Sequence, residues 1–158
     1  MLLRETIVKK SPIAGLGLFA AEDISRGQII WKYDPLTSFV LKQDQLNVLK
    51  NSFQHQDSLL HYLTYGYHVK IFNGLLVCLD NGKFVNHSLT PNSGLMSKSD
   101  ESNWQYSVAI RDIEKGEEIT ENYNTYDHCD WLDDLCRAHG IFVPEREEAC
   151  LSASCAMT

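Results

Sequence analysis

The chain has 158 residues, 44% hydrophobic and 22% charged, with a formal net charge of −7. That is enough to bury one sizeable core and fits a single soluble globular domain. No basic stripe of the kind that neutralises phosphates is present, which disfavours nucleic acid as the primary ligand. The acidity favours a basic partner such as a Lys-rich peptide, although ordinary solubility explains it as well.

In chain order, MLLRETIVKKS meets charge at Arg4 before any signal-type apolar stretch, and no later run is long enough to span a membrane. An intracellular protein is expected, cytoplasmic or nuclear and not secreted. The five cysteines (Cys78, Cys129, Cys136, Cys150 and Cys155) are then expected as reduced thiols. ETIVKKS (5–11) alternates as a strand, Gly15-Leu16-Gly17 punctuates before LFA, and QIIWKY (28–33) is a strand stopped by Asp34-Pro35. From Gln43 to Tyr65, Leu46, Leu49 and Phe53, then Leu59, Leu60 and Leu63, recur at helical spacing, with a break near His55–Ser58. HVKIF (68–72) and LLVCL (75–79) flank Asn73-Gly74, the strongest hairpin signal in the chain. SKSDESN (97–103) reads as a polar loop and WQYSVAIR (104–111) as a strand. A charged turn at Gly116 leads to a short EEIT strand. DWLDDLCRAHG (130–140) reads as a helix stopped by Gly140, and the tail after Pro144 has little to pack. The pattern predicts a β-rich α+β domain.

Three motifs carry the chemistry, and each has an ordinary explanation when taken alone. AGLGLFA (14–20) contains G-x-G but enters a strand rather than a helix, so a dinucleotide fold is not expected and a tight bend suffices. KFVNHSLTPN (83–92) fits a glycosylation sequon that an intracellular chain never exposes to the machinery. It has no second His or Cys at metal-ligand spacing. IRDIEKGEEITENY (110–123) reads, by itself, as a surface hairpin ending in a core tyrosine.

The order of these motifs is more specific. G-x-G-x-x-x-A, then F-x-N-H-S-x-x-P-N, then R-D-I-x-x-G-E-E-I-T-x-x-Y resembles the SET-domain family of protein-lysine methyltransferases, and RGQIIWKY (26–33) is similar to a fourth family segment. The resemblance runs from Thr6 to Tyr126 and is closest in style to minimal viral and bacterial SET proteins. It implies a β-clip-like fold of short strands with pseudoknot-like C-terminal threading and a short C-terminal helix. It implies a SET catalytic domain over 1–127 and a helical extension with a partly mobile tail over 128–158. The implied activity is methyl transfer from S-adenosyl-L-methionine to a lysine side chain in a protein or peptide, histones among the candidates. A catalytically weak module that binds a basic peptide or the cofactor is the alternative. A homodimer is left open.

The resemblance also assigns residues. Ala14, Gly15, Leu16 and Gly17 match the loop whose backbone lies along the cofactor, where Cβ atoms would obstruct approach; Asn86 and His87 match the pair that holds it. Tyr123 matches the tyrosine at the methyl-transfer axis. With an ordinary phenol pKa of about 10 it would orient rather than abstract a proton. Tyr33 matches the aromatic of the lysine channel, and Tyr62 resembles a tyrosine near the cofactor in some members.

The sequence departs from the family in two places. Leu89 stands where many nuclear members have Cys, and the C-terminal cysteines lack C-x-C spacing. No metal is therefore expected, although a zinc site with His128 or His139 stays open. Tyr126, Trp131 and the following helix are then expected to close the channel, the alternative being that Trp131 only anchors that helix to the core. Glu121 occupies the position where many members carry Phe or Tyr to control methyl number. It would either meet the substrate ammonium or point to solvent from an edge strand.

Overall fold

The computed structural model describes residues 1–95 and 103–145. Its elements begin with β1 (Thr6–Lys10), β2 (Leu16–Ala20), β3 (Ile29–Lys32), β4 (Ser38–Leu41), α1 (Gln43–Lys50), α2 (Gln56–Tyr65), β5 (Gly66–Val69) and β6 (Gly74–Cys78). They continue with β7 (Asn86–His87), β8 (Ser93–Gly94), β9 (Tyr106–Ala109), β10 (Thr120–Glu121) and α3 (Asp130–Ala138). Residues 97–102 of the expected polar loop, most of the tail, Cys150 and Cys155 lie outside the described residues.

Sequence and sheet order agree at the apolar run GLLVC. β6 is the central strand of the β4-β6-β5 sheet and all five of its residues are buried. Successive strand side chains point to opposite faces. Leu75 and Val77 accordingly join the cluster of Leu46, Leu59, Leu63, Leu132, Leu135 and Cys136, while Leu76 and Cys78 join Trp31 and Val69 on the other face. The first face is covered by α1, α2 and α3, so the C-terminal helix shares its core with the two earlier ones. Full burial of a leucine here contributes about 1.5–3 kcal/mol. A third cluster, including Leu18, Ile24, Ile30, Ile113 and Ile119, lies between β2, β3, β9 and the segment that joins β9 to β10.

The helices end where their sequences lose helical hydrogen bonding. The break falls at residues 51–55, slightly earlier than expected, where a 3-10 turn (Phe53–His55) separates α1 from α2. Gly140 has φ +69 after α3, the left-handed geometry that glycine adopts without steric penalty. There Gly140 N donates to Arg137 O (3.1 Å) and Ile141 N to Cys136 O (2.9 Å), the paired bonds that close a helix C-terminus and reverse the chain. Ile141 then packs back against the helical core.

β5 and β6 form the expected hairpin, but its turn is wider than Asn73-Gly74: Lys70–Phe72, expected as strand, make a 3-10 turn, Asn73 has φ +42 and Gly74 already opens β6. The surface hairpin that 110–123 suggests when read alone is not formed. β9 pairs with β3 and β8, whereas Ile113 bridges Ile24, Glu118 bridges Phe19, and β10 pairs in parallel with β7. This segment is threaded between other strands because its apolar residues, Ile113 and Ile119, belong to the core beside β2 and β3. Local alternation carries no information about such long-range partners.

Candidate active site

The two-residue strands β7 and β10 lie side by side in register, Thr120 opposite Asn86 and Glu121 opposite His87, and Ser88 N donates to Glu121 O (2.9 Å). This crossing brings together segments that the sequence holds more than thirty residues apart. The Asn86 amide reaches across it. Its Nδ2 lies within hydrogen-bond reach of Ala14 O (3.2 Å), Leu16 O (3.1 Å) and Glu118 Oε1 (2.8 Å), three acceptors for two hydrogens. Asn86 therefore fixes the Ala14–Gly17 loop. A Cβ at Gly17 would sit 2.2 Å from Glu118 Oε1, so a larger residue there displaces that carboxylate from Asn86. The constraint lies in the protein's own carboxylate and not only in ligand approach.

His87 Nδ1 accepts from Tyr123 N (3.1 Å), which puts the imidazole proton on Nε2. The Tyr123 hydroxyl donates to Val85 O, next to Asn86. Burial first, and the Glu121 charge second, hold that hydroxyl well above the ordinary phenol range. The phenol is accordingly protonated at neutral pH. It can donate a hydrogen bond or present an oxygen dipole but is a poor base.

Tyr123 stands in a row of rings. Tyr67 and Tyr126 lie 5.1 Å apart, Tyr126 and Tyr123 5.2 Å, Tyr123 and His87 5.3 Å, and His87 and Phe142 5.7 Å. Glu121 is buried beside the tyrosines, only 6% exposed, with hydroxyl donors from Ser107 and Tyr126. Of the two expectations for Glu121, the solvent-facing one is overturned: the side chain turns inward.

The other assigned residues fall elsewhere. Tyr33 packs on Trp104 (4.9 Å) and Phe72 (5.7 Å), on the face of β6 that also receives Tyr67. Tyr62 meets Phe39 edge-on (5.5 Å) within the helical core, and Tyr65, one turn later, contacts Phe84 just before Asn86. Trp131 packs against the same core. The aromatic from the C-terminal segment that lies against His87 is Phe142, 62% exposed and aimed there by the reversal at Gly140.

Sequence reasoning missed Tyr67, Phe142 and Asn92. Asn92 is 1% exposed. It donates to Glu118 O (2.7 Å) and Glu117 Oε1 (3.0 Å) and accepts from Thr120 N (2.8 Å), so it clips β10 into place. The quoted P-N at the end of KFVNHSLTPN was its signal. Phe142 could have been found by asking where a chain turns after a glycine-stopped helix.

Around the C-terminal cysteines, His128 Nδ1 lies 3.3 Å from Asp133 Oδ2, and His139 Nδ1 lies 2.9 Å from Leu135 O. No three His, Cys, Asp or Glu side chains among the described residues are arranged to hold a metal ion. Burial pushes the Cys78 thiol up to about 12 and Cys136 up to about 11, which leaves both poor nucleophiles at neutral pH. No helix among the described residues is long and apolar enough to cross a membrane.

Small sheets, a parallel two-residue crossing and a short C-terminal helix together define the SET fold. The chain belongs to the SET domain family, whose model matches residues 15–124. It is similar to a SET domain-containing protein of Acanthamoeba polyphaga mimivirus, 37% identical over 87 residues, covering 52% of this chain and 33% of that protein. A variant-silencing SET domain-containing protein of Plasmodium falciparum is 29% identical over 129 residues, covering 77% of this chain and 5% of the relative. The chain thus spans a third or less of either relative. Among solved structures, a candidate histone methyltransferase of Plasmodium falciparum superimposes with TM-score 0.52 at 22% identity, over 82% of this chain and 99% of that one. The Chaetomium thermophilum Polycomb Repressive Complex 2, in an autoinhibited conformation bound to S-adenosylmethionine, gives TM-score 0.57 at 21% identity, over 87% and 17%.

Proposed function

We propose that the chain is an S-adenosylmethionine-dependent protein-lysine N-methyltransferase. One observation carries the reading: Asn86 holds the Ala14–Leu16 carbonyls while the adjacent His87 holds the backbone of Tyr123. A loop suited to a cofactor and a tyrosine suited to a reacting amine are thereby fixed to the same two-residue strand. The residues fit the cofactor. Gly15, which has no side chain, is exposed, so the loop backbone is open to a ligand there, and Asn86 and His87 add polar groups of both kinds. When bound, S-adenosylmethionine supplies a methyl group on a cationic sulfonium that a neutral amine can displace.

The chain's own contribution is positioning and dehydration. Lysine has an ordinary pKa of about 10.4, so the amine must lose its proton before attack, and an aromatic slot that strips water from the ammonium favours that loss. The protonated Tyr123 hydroxyl, anchored near Val85, orients the reacting groups without taking the proton itself. The substrate class is a lysine in a protein or peptide, histones included, and an intracellular site of action fits this reading.

The test is a thermal shift with S-adenosylhomocysteine, together with transfer of labelled methyl from S-adenosylmethionine to a lysine-rich protein mixture. Tyr123→Phe is expected to lower transfer by about 10²-fold or more while the thermal shift persists. Binding without transfer by the unaltered protein, with no change in Tyr123→Phe, overturns the catalytic reading in favour of a binding module.

A further inference from the structure

We propose that the Glu121 carboxylate is the group that receives the substrate's lysine ammonium. The inference rests on the methyltransferase reading only for the class of substrate. Glu121 is buried with two neutral hydroxyl donors, Ser107 on one oxygen and Tyr126 on the other. Ion pairs join Arg111 to Glu117, Arg137 to Asp134 and the N-terminus to Asp80, and His128 faces Asp133. None among the described residues reaches Glu121. A buried carboxylate with hydroxyl donors and no cation is incompletely compensated, because neutral hydrogen bonds do not replace a counter-charge.

The surroundings select what completes it. Tyr67, Tyr126 and Tyr123 stack in one row 5.1 and 5.2 Å apart, and Tyr126 reaches the carboxylate through its hydroxyl. Ring faces attract cations, and the negative charge at their base adds to that attraction. The Glu121 charge acts on all three hydroxyls, raising each behind the larger effect of burial. Among the described residues, no further carboxylate, His or Cys is placed to build a metal site with it. Each Glu121 oxygen has one lone pair left after its hydroxyl bond, and an ammonium on a narrow alkyl stem offers three N–H donors. A lysine side chain matches that shape and charge.

The probes are Nα-acetyl-lysine methylamide and its uncharged isostere Nα-acetyl-norleucine methylamide, titrated by NMR with S-adenosylhomocysteine present. The unaltered protein is expected to prefer the lysine probe on the order of tenfold, and Glu121→Gln to remove most of that preference while Glu121→Asp keeps part of it. With a lysine peptide as methyl acceptor, Glu121→Gln should raise KM more than it lowers kcat, because a carboxylate that holds the ammonium also holds its proton. If Glu121→Gln does not fold, the unaltered protein with ¹³C-labelled glutamate carboxyls decides: the Glu121 signal must move with lysine and stay still with norleucine. Equal preference in the unaltered protein and Glu121→Gln, or an unmoved carboxyl signal, overturns the proposal. Loss of methyl transfer or cofactor binding in the unaltered protein, with the lysine preference intact, instead overturns the methyltransferase reading and leaves this one standing.

Discussion

Replacing Asn92 tests the claim that an amide, and not packing volume, holds the crossing of β7 and β10. The side chain is almost fully buried, and its three bonds go to Thr120 N, Glu118 O and Glu117 Oε1. In Asn92→Ala, the Thr120 N–H and the Glu118 carbonyl lose their partners where water does not readily reach. Each orphaned group costs about 1–3 kcal/mol, so the loss should be about 2–6 kcal/mol. Against a typical total of about 5–15 kcal/mol, that is a large fraction of stability. At about 2–4 °C per kcal/mol for a chain of this size, the melting temperature should fall by roughly 4–24 °C. Asn92→Asp separates the causes, since it keeps the volume and the acceptor for Thr120 N. Its second oxygen faces the Glu118 carbonyl and the Glu117 carboxylate with no hydrogen to share, so the loss should equal or exceed that of alanine. Urea unfolding and thermal melts followed by circular dichroism at pH 7 measure both. An Asn92→Asp protein within about 0.5 kcal/mol of the original refutes the reasoning.

Gly17→Ala forces a Cβ to within 2.2 Å of Glu118 Oε1, so Glu118 must leave Asn86 and Ser11. Calorimetry should show weaker S-adenosylhomocysteine binding together with a stability loss of about 1–3 kcal/mol, and unchanged values for both would contradict the geometry. Phe142→Ala and Trp131→Ala should diverge. The first removes an exposed ring lying on His87 and should weaken cofactor or substrate binding with little change in melting temperature. The second loosens the helical core and should cost about 2–4 kcal/mol, so the reverse pattern would return the lid role to Trp131. Arg111 donates to Glu117 and holds its carboxyl below the ordinary range, with burial opposing and Asn92 adding to the effect. A depressed folded pKa contributes stability above the unfolded value and loses it as pH falls through the folded one. The Arg111 side chain is 52% exposed, so solvent screening limits the contribution to about 1 kcal/mol or less. Glu117→Gln should therefore differ from the unaltered protein by that much at pH 7 and by less at pH 3, as read from urea midpoints. A difference that grows on acidification would refute the sign.

Much of the fold was legible because its signals are local. Asp34-Pro35, Asn73-Gly74 and Gly140 each impose a backbone geometry that any neighbour must accept, and helical leucine spacing located α1, α2 and their break. The parallel crossing was not legible from periodicity. Strands of two residues have no period, and the partners Asn86 and Thr120 are distant in sequence. Only the order of motifs pointed there. Glu121 was ambiguous for the same reason, since the inward turn depends on hydroxyls supplied by Ser107 and Tyr126. Tyr62 and Tyr65 share a helix, and helical spacing alone could not say that Tyr65 is the one beside Phe84.

The run GEEITENY shows why polar residues can organise a site that composition would assign to the surface. Glu117 holds Arg111 and Asn92, and Glu118 holds Ser11 and Asn86. Ile119 enters the core, Thr120 is held through its backbone by Asn92 and Ser93, and Glu121 gathers Ser107 and Tyr126. Asn122 caps the turn by accepting from Asn124 N, and Tyr123 N is held by His87. Apart from Asn122, each residue in the stretch after Gly116 is thus tied to another part of the chain, including the glycine loop, the Asn-His strand, Asn92 and Ser93, and β9. Hydrophobic packing alone would tolerate small slips of such short strands, because a two-residue ladder fixes little register. Directional bonds to buried polar groups do not tolerate them, since a slip leaves several donors and acceptors unpaired at once. The polar network therefore sets the relative position of the glycine loop and Tyr123, on which any transfer between cofactor and amine depends.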